Sequence, residues 1–396
     1  MKPASLRPFL PRPALRRRLQ SRPYAIQTPG APTLQVFNSH AKYLQRERAA
    51  SDPEASRKVD YLRDEVASRL CERLLVNLLL VFRSLLSTII NLTSYPITQD
   101  INRSFPHILD LGANACNIAR TLTLPPPPSP ETVPSPTTST PAPLTTRFTT
   151  LTSADWSPTL LHRDASHPYN ALLPSHTRTP IPDPDTSPLP FPPHSFDAIL
   201  SSLSLHWIND LPSLLAQVAR LLKPDSPFLA AIFGGDSLFE LRTSLQLADL
   251  ERRGGVSTHV SPLADVKDMG SLLSRAGFKL LTVDVDDIVV EYPSTFALMQ
   301  DLQAMGESNC ALTREMGGLR REVLVANEGI YRALHGNEGD GGGDGTEGTI
   351  PATWRVIYVI GWTPGEGQAQ PLERGSGVVS IKDVLEGRTP GPEDKR

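Results

Sequence analysis

Two spacings of apolar residues alternate along most of this chain. From His107 the run HILDLGANACNIARTL opens with four mostly apolar positions, breaks at Gly112 and continues at helical spacing, which predicts a buried strand, a turn and a helix. FTTLTSAD, SFDAILSSLSLHW and PFLAAIFGG supply three more strands, and LPSLLAQVARLLKPD, between the last two, has a clear 3.6-residue period. Downstream, DVKDMGSLLSRAGFKLLTVDVDDIVVEY predicts a helix and then a strand, STFALMQDLQAMGESN a helix and TWRVIYVIGWTP a last strand. Strands separated by helices lie side by side in a parallel sheet, so HILDLG starts the first βα unit of a doubly wound α/β fold. Ahead of it, residues 33–75 carry Tyr61, Leu62, Val66, Leu70 and Leu74 at helical spacing and predict one or two helices before the sheet.

The pattern is interrupted in places that composition explains. Of 396 residues, 39 are proline, about twice the usual ~5%, and they cluster. Residues 125–146 are almost wholly Pro, Ser and Thr, too poor in apolar side chains to bury, and read as a disordered insertion after the first helix. Pro180 to Pro193 reads as a loop, and the Gly-rich 336–349 as a flexible one. VNLLLVFRSLLSTIINLTSYPITQ (76–99) approaches the ~20 apolar residues of a membrane span, yet contains Arg83 and ends near Pro96. Valine codons begin GT and glutamine can be CAG, so the segment reads as a retained intron; an amphipathic membrane-surface helix or a true span are the alternatives. The expected organisation is then a presequence at 1–24, helices at 33–75, the insertion at 76–99, the α/β domain at 100–365 and a tail at 366–396.

Charge adds an address. Between Met1 and Arg46 there is no Asp or Glu, while Lys2, Arg7, Arg12, Arg16, Arg17, Arg18, Arg22, Lys42 and Arg46 are basic. An acid-poor basic start without an apolar core fits a mitochondrial presequence, with the mature chain starting near Ala25. The net charge of -3 offers no global basic surface, so nucleic acid is not an expected partner. Cys71, Cys116 and Cys310 are far apart and show no metal-ligand spacing. His162-Arg163-Asp164 has a local HxD form, but an iron site needs two His and one carboxylate on one ion, and no metal is expected.

The turn after the first strand resembles the D-x-G-x-G-x-G run of class I S-adenosylmethionine-dependent methyltransferases. It holds Asp110, Gly112, Ala113 and Asn114. The resemblance implies a Rossmann-like, mostly parallel seven-stranded sheet with helices on both faces, and a backbone bent under the methionine part of S-adenosylmethionine. Here Asn114 and Cys116 replace the second and third glycines. Asn is the side chain that best tolerates left-handed geometry, whereas Cys116 is expected at the helix start, packed. Altered affinity and a vestigial site both remain open. Asp155 closes the second strand, where a carboxylate accepts both ribose hydroxyls; its bland alternative is a helix cap before Ser157-Pro158. Trp156 is placed to cover the adenine, and Asp185 occupies the position that contacts adenine from the third strand's end.

At the sheet's carboxyl edge, SSLSLHWINDLP brings His206 forward as a general base or, with equal weight, a packed core residue. In FGGDSLFELRTSLQLADLERRGG, Asp236 is the expected N-cap; Glu240 is a weak catalytic candidate, and Asp236 and Arg242 are weak substrate-binding ones, ion pairing being the bland reading.

These runs, with LLSRAGFKLLTVDVDDIVVEYPSTFALMQDLQAMGESNCA, PATWRVIYVIGW and RGSG, resemble the mitochondrial complex I assembly factor five family, the arginine hydroxylases of the methyltransferase superfamily. The resemblance spans about Val36 to Val384 outside the insertions. It implies a matrix protein peripheral to the inner membrane that binds S-adenosylmethionine and hydroxylates an arginine on an iron-sulfur subunit of NADH:ubiquinone oxidoreductase. A non-catalytic chaperone that grips a nascent subunit through ELRTSLQLADL, or a quinone-type methyltransferase, are the alternatives.

Overall fold

The computed structural model describes residues 34–75, 104–124, 144–315, 317–337, 348–366 and 368. The expected presequence, the 76–99 segment, and most of the proline-rich insertion, the glycine-rich loop and the tail lie outside the described residues.

Seven strands form one sheet in the order β3-β2-β1-β4-β5-β7-β6. They are β1 (His107–Leu111), β2 (Thr150–Asp155), β3 (His176–Pro180), β4 (Ala198–Ser202), β5 (Pro227–Phe233), β6 (Lys279–Tyr292) and β7 (Ile350–Trp362). The first five pair in parallel, and β7 runs antiparallel between β5 and β6. This is the mostly parallel, Rossmann-like sheet that the alternation of strands and helices implies. In β4 and β5 every residue is buried, as strands covered on both faces require.

Strand periodicity sorts the core. Ile108 packs with Val66, Leu70 and Ile118 on one face of the sheet, whereas its neighbours Leu109 and Leu111 pack with Leu215, Val218, Met269 and Leu273 on the other. The first face is covered by α3 (Tyr61–Leu75) and α4 (Asn117–Leu122), the second by α6 (Leu211–Leu221) and α8 (Val266–Arg275). Helix α6 starts where Asp210 accepts the Ser213 amide, with Pro212 in its first turn, and buries Leu214, Leu215, Val218 and Leu221. Each such side chain contributes ~2 kcal/mol of hydrophobic burial.

Some elements depart from the pattern. Strand β3, HTRTP, has no apolar residue; it is a half-exposed edge, where Pro180 forfeits no needed hydrogen bond. Leu144–Arg147 already makes a 3-10 turn with Leu144 buried, so the chain rejoins the fold before the expected end of the insertion. Helix α10 (Arg321–His335) was not among the expected elements, although Val323, Ala326 and Tyr331 recur at helical spacing on its buried face.

Two shorter helices, α1 (Ser39–Ser51) and α2 (Pro53–Lys58), precede α3. The remainder are α5 (Pro158–His162), α7 (Phe239–Arg253) and α9 (Thr295–Met305). Among the described residues no helix is long and apolar enough to cross a membrane.

Candidate active site

Strands β1, β2 and β4 end together, and the loop after β1 turns sharply there. Gly112, Asn114 and Cys116 all take positive φ, at 71°, 51° and 61°. Asn114 thus adopts the left-handed geometry expected of it, and Cys116 sits at the N-cap of α4, fully buried. Gly112 is obligatory for a second reason: a Cβ on it would lie 2.2 Å from Ser204 Oγ. The Asn114 side chain turns inward, and its Nδ2 donates to Gly112 O and Ser202 O at 3.2 and 2.9 Å. An amide therefore fills space that a glycine at this position would leave clear.

Asp155 closes β2 and is fully buried. Its Oδ2 accepts the Asn114 amide at 2.8 Å and its Oδ1 the Ser157 amide at 2.9 Å. The cap of α5 belongs instead to Ser157, whose hydroxyl accepts from Leu160 N. The third partner of Asp155 comes from far away in sequence. Arg46, on α1, donates through Nη2 to Asp155 Oδ2 at 3.0 Å and also to Asn114 Oδ1. Helix α1 turns Lys42, Arg46, Ala49 and Ala50 inward. Lys42 and Arg46, in the helical segment expected ahead of the sheet, are both buried beside its carboxyl edge.

Next to this pair an apolar slot of about 20 Å³ lies between Trp156, Ile181, Leu205 and Ile208. Trp156 takes Tyr43 edge-on at 6.3 Å. Polar atoms without partners gather nearby on the same strands: both Asp110 oxygens, Ser201 Oγ and Ser202 Oγ, together with Arg46 Nε. Burial and the charge of Asp155 push the Asp110 carboxyl well above the ordinary carboxylate range.

A cavity of about 660 Å³ opens beyond β5, with Trp207, Phe233, Trp354, Leu241, His259 and Glu307 in its walls. Trp354 is 2% exposed and its Nε1 has no partner. Glu307 Oε2 accepts from Trp207 Nε1 at 2.7 Å, and Oε1 from Arg63 Nη2 at 3.2 Å. Burial alone would raise the Glu307 carboxyl, but the His206 hydrogen bond and the charges of Lys42 and Arg63 hold it down at about 2. The floor of this chamber is therefore an ionised carboxylate. Lys42 Nζ lies 3.4 Å from the Trp207 ring centroid and donates to Gly306 O and Ser308 O.

Several candidates are placed otherwise than expected. Asp185 does not face the slot: its two oxygens accept the Asn209 and Asp210 amides, Asn209 Nδ2 and the Ser39 hydroxyl, tying α1 to the loop before α6. Asp236 does not cap α7, whose N-cap is Leu238; it pairs with Arg355. Glu240 is buried and accepts from the hydroxyl and amide of Thr353, so it bridges α7 to β7. Arg242 is outside the chamber wall. His206 packs between Trp207 and Phe233 at 5.0 and 4.8 Å, its Nε2 3.5 Å from Glu307, and burial lowers its pKa. It is a core residue supporting the floor. Asp164 of the HxD run is committed to Arg57 and Arg163. The chamber's own His259 and Glu307 were missed because the loops that carry them have no periodicity to mark them.

A family model described as a methyltransferase domain matches residues 137–230. The chain is 40% identical to the human protein named arginine-hydroxylase NDUFAF5, mitochondrial, over 356 residues, covering 89% of this chain and 84% of that one. The protein of the same name from Danio rerio is 39% identical over 352 residues, covering 89% and 90%. A malonyl-[acyl-carrier protein] O-methyltransferase of Laribacter hongkongensis is 32% identical over 234 residues, 58% of this chain and 73% of that one. On this similarity, which covers 89% of its length, the chain belongs to the arginine-hydroxylase NDUFAF5 family, built on a methyltransferase fold.

Proposed function

We propose that this protein hydroxylates an arginine on an iron-sulfur subunit of mitochondrial respiratory complex I during assembly, working on the matrix side of the inner membrane as a peripheral protein. The relatives named arginine hydroxylases are named mitochondrial. The observation that carries the reading is the chamber. Trp207 already carries Lys42 on its face, and the rings of Phe233 and Trp354 with an ionised Glu307 are the wall groups that suit a planar delocalised cation. Because Arg63 and Lys42 already share the Glu307 charge, stacking on the rings supplies the larger part of the attraction.

S-adenosylmethionine is the cofactor we assign to the neighbouring slot. The residues fit it in kind: Asp155 for the ribose hydroxyls, Trp156, Ile181, Leu205 and Ile208 for the adenine, and unpartnered Ser201 and Ser202 hydroxyls within the edge. Room exists only once Arg46 leaves Asp155. When bound, this cofactor supplies a sulfonium methyl group, which hydroxylation does not consume; the oxidant is a separate co-reactant. Arg46→Met is expected to bind S-adenosylhomocysteine about tenfold more tightly than wild type in calorimetry, since one charged hydrogen bond no longer competes. Equal affinities would mean that Arg46 does not compete for the site.

The closed slot favours one second reading, a chaperone without catalysis. Mass spectrometry of the iron-sulfur subunit from a deletion strain separates the two. The wild-type gene should restore both the hydroxylated arginine and complex I. Restored complex I with an unmodified arginine would leave the chaperone.

A further inference from the structure

The chamber wall holds an imidazole, hydrogen-bonded to a buried carboxylate, that no step above uses. His259 lines the chamber, and its Nε2 lies 2.6 Å from Asp249 Oδ2. Asp249, on α7, is fully buried and also accepts from the Ser257 amide at 3.0 Å and from Arg253 Nη1 at 3.3 Å. Burial pushes its carboxyl up, but the His259 and Ser257 hydrogen bonds and the charges of His259 and Arg253 bring it below the ordinary range, so Asp249 is an acceptor only. The hydrogen on the ring therefore sits on Nε2. In the neutral ring Nδ1 is left with a lone pair, and no hydrogen bond joins it to the described residues.

The segment around this ring is fixed on both sides, although it has no regular structure. Asn309 Nδ2 donates to Thr258 O at 2.7 Å, and Ser261 Oγ donates to Asn309 Oδ1 at 2.7 Å. One asparagine thus clamps the residues flanking His259 to the loop after α9, the loop that also carries Glu307. Preorganised polar atoms of this kind are what a binding site needs.

We propose that His259 Nδ1 is the specificity acceptor of the chamber: it takes an N–H from a guanidinium whose plane lies against the aromatic wall, with Asp249 setting the tautomer that makes this possible. The inference rests on reading the chamber as the arginine site. Its ligand class is a side chain that offers donors only. His259 here positions and selects the substrate.

The test uses the full chain and two synthetic peptides, one with a single arginine and one with citrulline in its place. Calorimetry on the wild type should favour the arginine peptide by about tenfold, the worth of one charged hydrogen bond. In His259→Asn the amide oxygen falls where Nδ1 was, and the preference should survive. In His259→Gln the amide falls at the Nε2 position, where it still reaches Asp249, and the preference should vanish. In ¹⁵N spectra of the wild type, the His259 Nδ1 resonance should shift on adding the arginine peptide, a change that a purely structural His–Asp pair would not show. If the wild type binds neither peptide, the chamber reading itself falls and this inference with it. If it prefers arginine while His259→Gln does so equally and Nδ1 stays put, the chamber reading stands and the role of His259 is overturned.

Discussion

Gly112→Ala is expected to lower stability by ~3 kcal/mol, most of it from a collision and the rest from backbone strain. The added methyl would meet Ser204 Oγ at 2.2 Å and Ser204 Cβ at 2.4 Å, closer than any rotation of the serine hydroxyl relieves. Overpacking of this kind costs ~1–3 kcal/mol, and a non-glycine residue at φ 71° adds ~1 kcal/mol. Gly254, which ends α7 at φ 67° with nothing within 4 Å of its virtual Cβ, separates the two contributions. Gly254→Ala should cost only the strain, ~1 kcal/mol. Urea denaturation of both variants measures the difference, and equal losses would mean that the loop after β1 yields to the methyl group.

The other large effect concerns Glu307. Replacing it with alanine removes the carboxylate between Arg63, Lys42 and Trp207, all nearly or fully buried, and should cost ~3–5 kcal/mol, the usual result of stranding buried cations. The pH dependence follows from the direction of each shift. The Glu307 carboxyl is held at about 2 against an ordinary 4.5, so its contribution is fully present above pH 4.5 and is lost as pH falls from there toward 2. Lys42 is shifted from 10.5 to about 8, by burial above all. Between pH 8 and 10.5 the unfolded chain holds this proton and the folded one has released it, so stability from Lys42 rises with pH across that window. In Glu307→Ala, Lys42 loses its counter-charge; the acid loss should flatten and the alkaline rise should start at lower pH. Unfolding free energies followed from pH 3 to 10 test this, and a variant whose profile parallels the wild type would show that the two groups are not coupled.

Much of the architecture is legible from side-chain spacing. HILDLG, AILSS and PFLAAIF are mostly apolar runs because both faces of their strands are covered, and LPSLLAQVARLL carries one apolar face because only one side of it meets the sheet. β3 escaped because an edge strand needs no such run, and HTRTP holds its place by backbone pairing to β2. At the site, Asp110, Gly112, Asn114, Asp155 and Trp156 were legible as a group, since one turn and one strand end bring them together. Asp185, Asp236 and Glu240 were not: a carboxylate in a loop or first helical turn looks the same whether it awaits a ligand or already accepts from Asn209, Arg355 or Thr353.

The order of strands and helices, the left-handed turn at Asn114 and the carboxylate that closes β2 follow from the sequence alone, because they depend on local backbone preference and on which faces are apolar. What occupies that carboxylate, and where the large chamber lies, only the tertiary structure decided. Arg46 and Asp155 are joined across 109 positions, and Glu307 and His259 reach one cavity from separate loops. Local spacing is blind to such meetings: buried charges pair with whatever the packing of whole elements brings within reach, and in this chain it brings a guanidinium from α1.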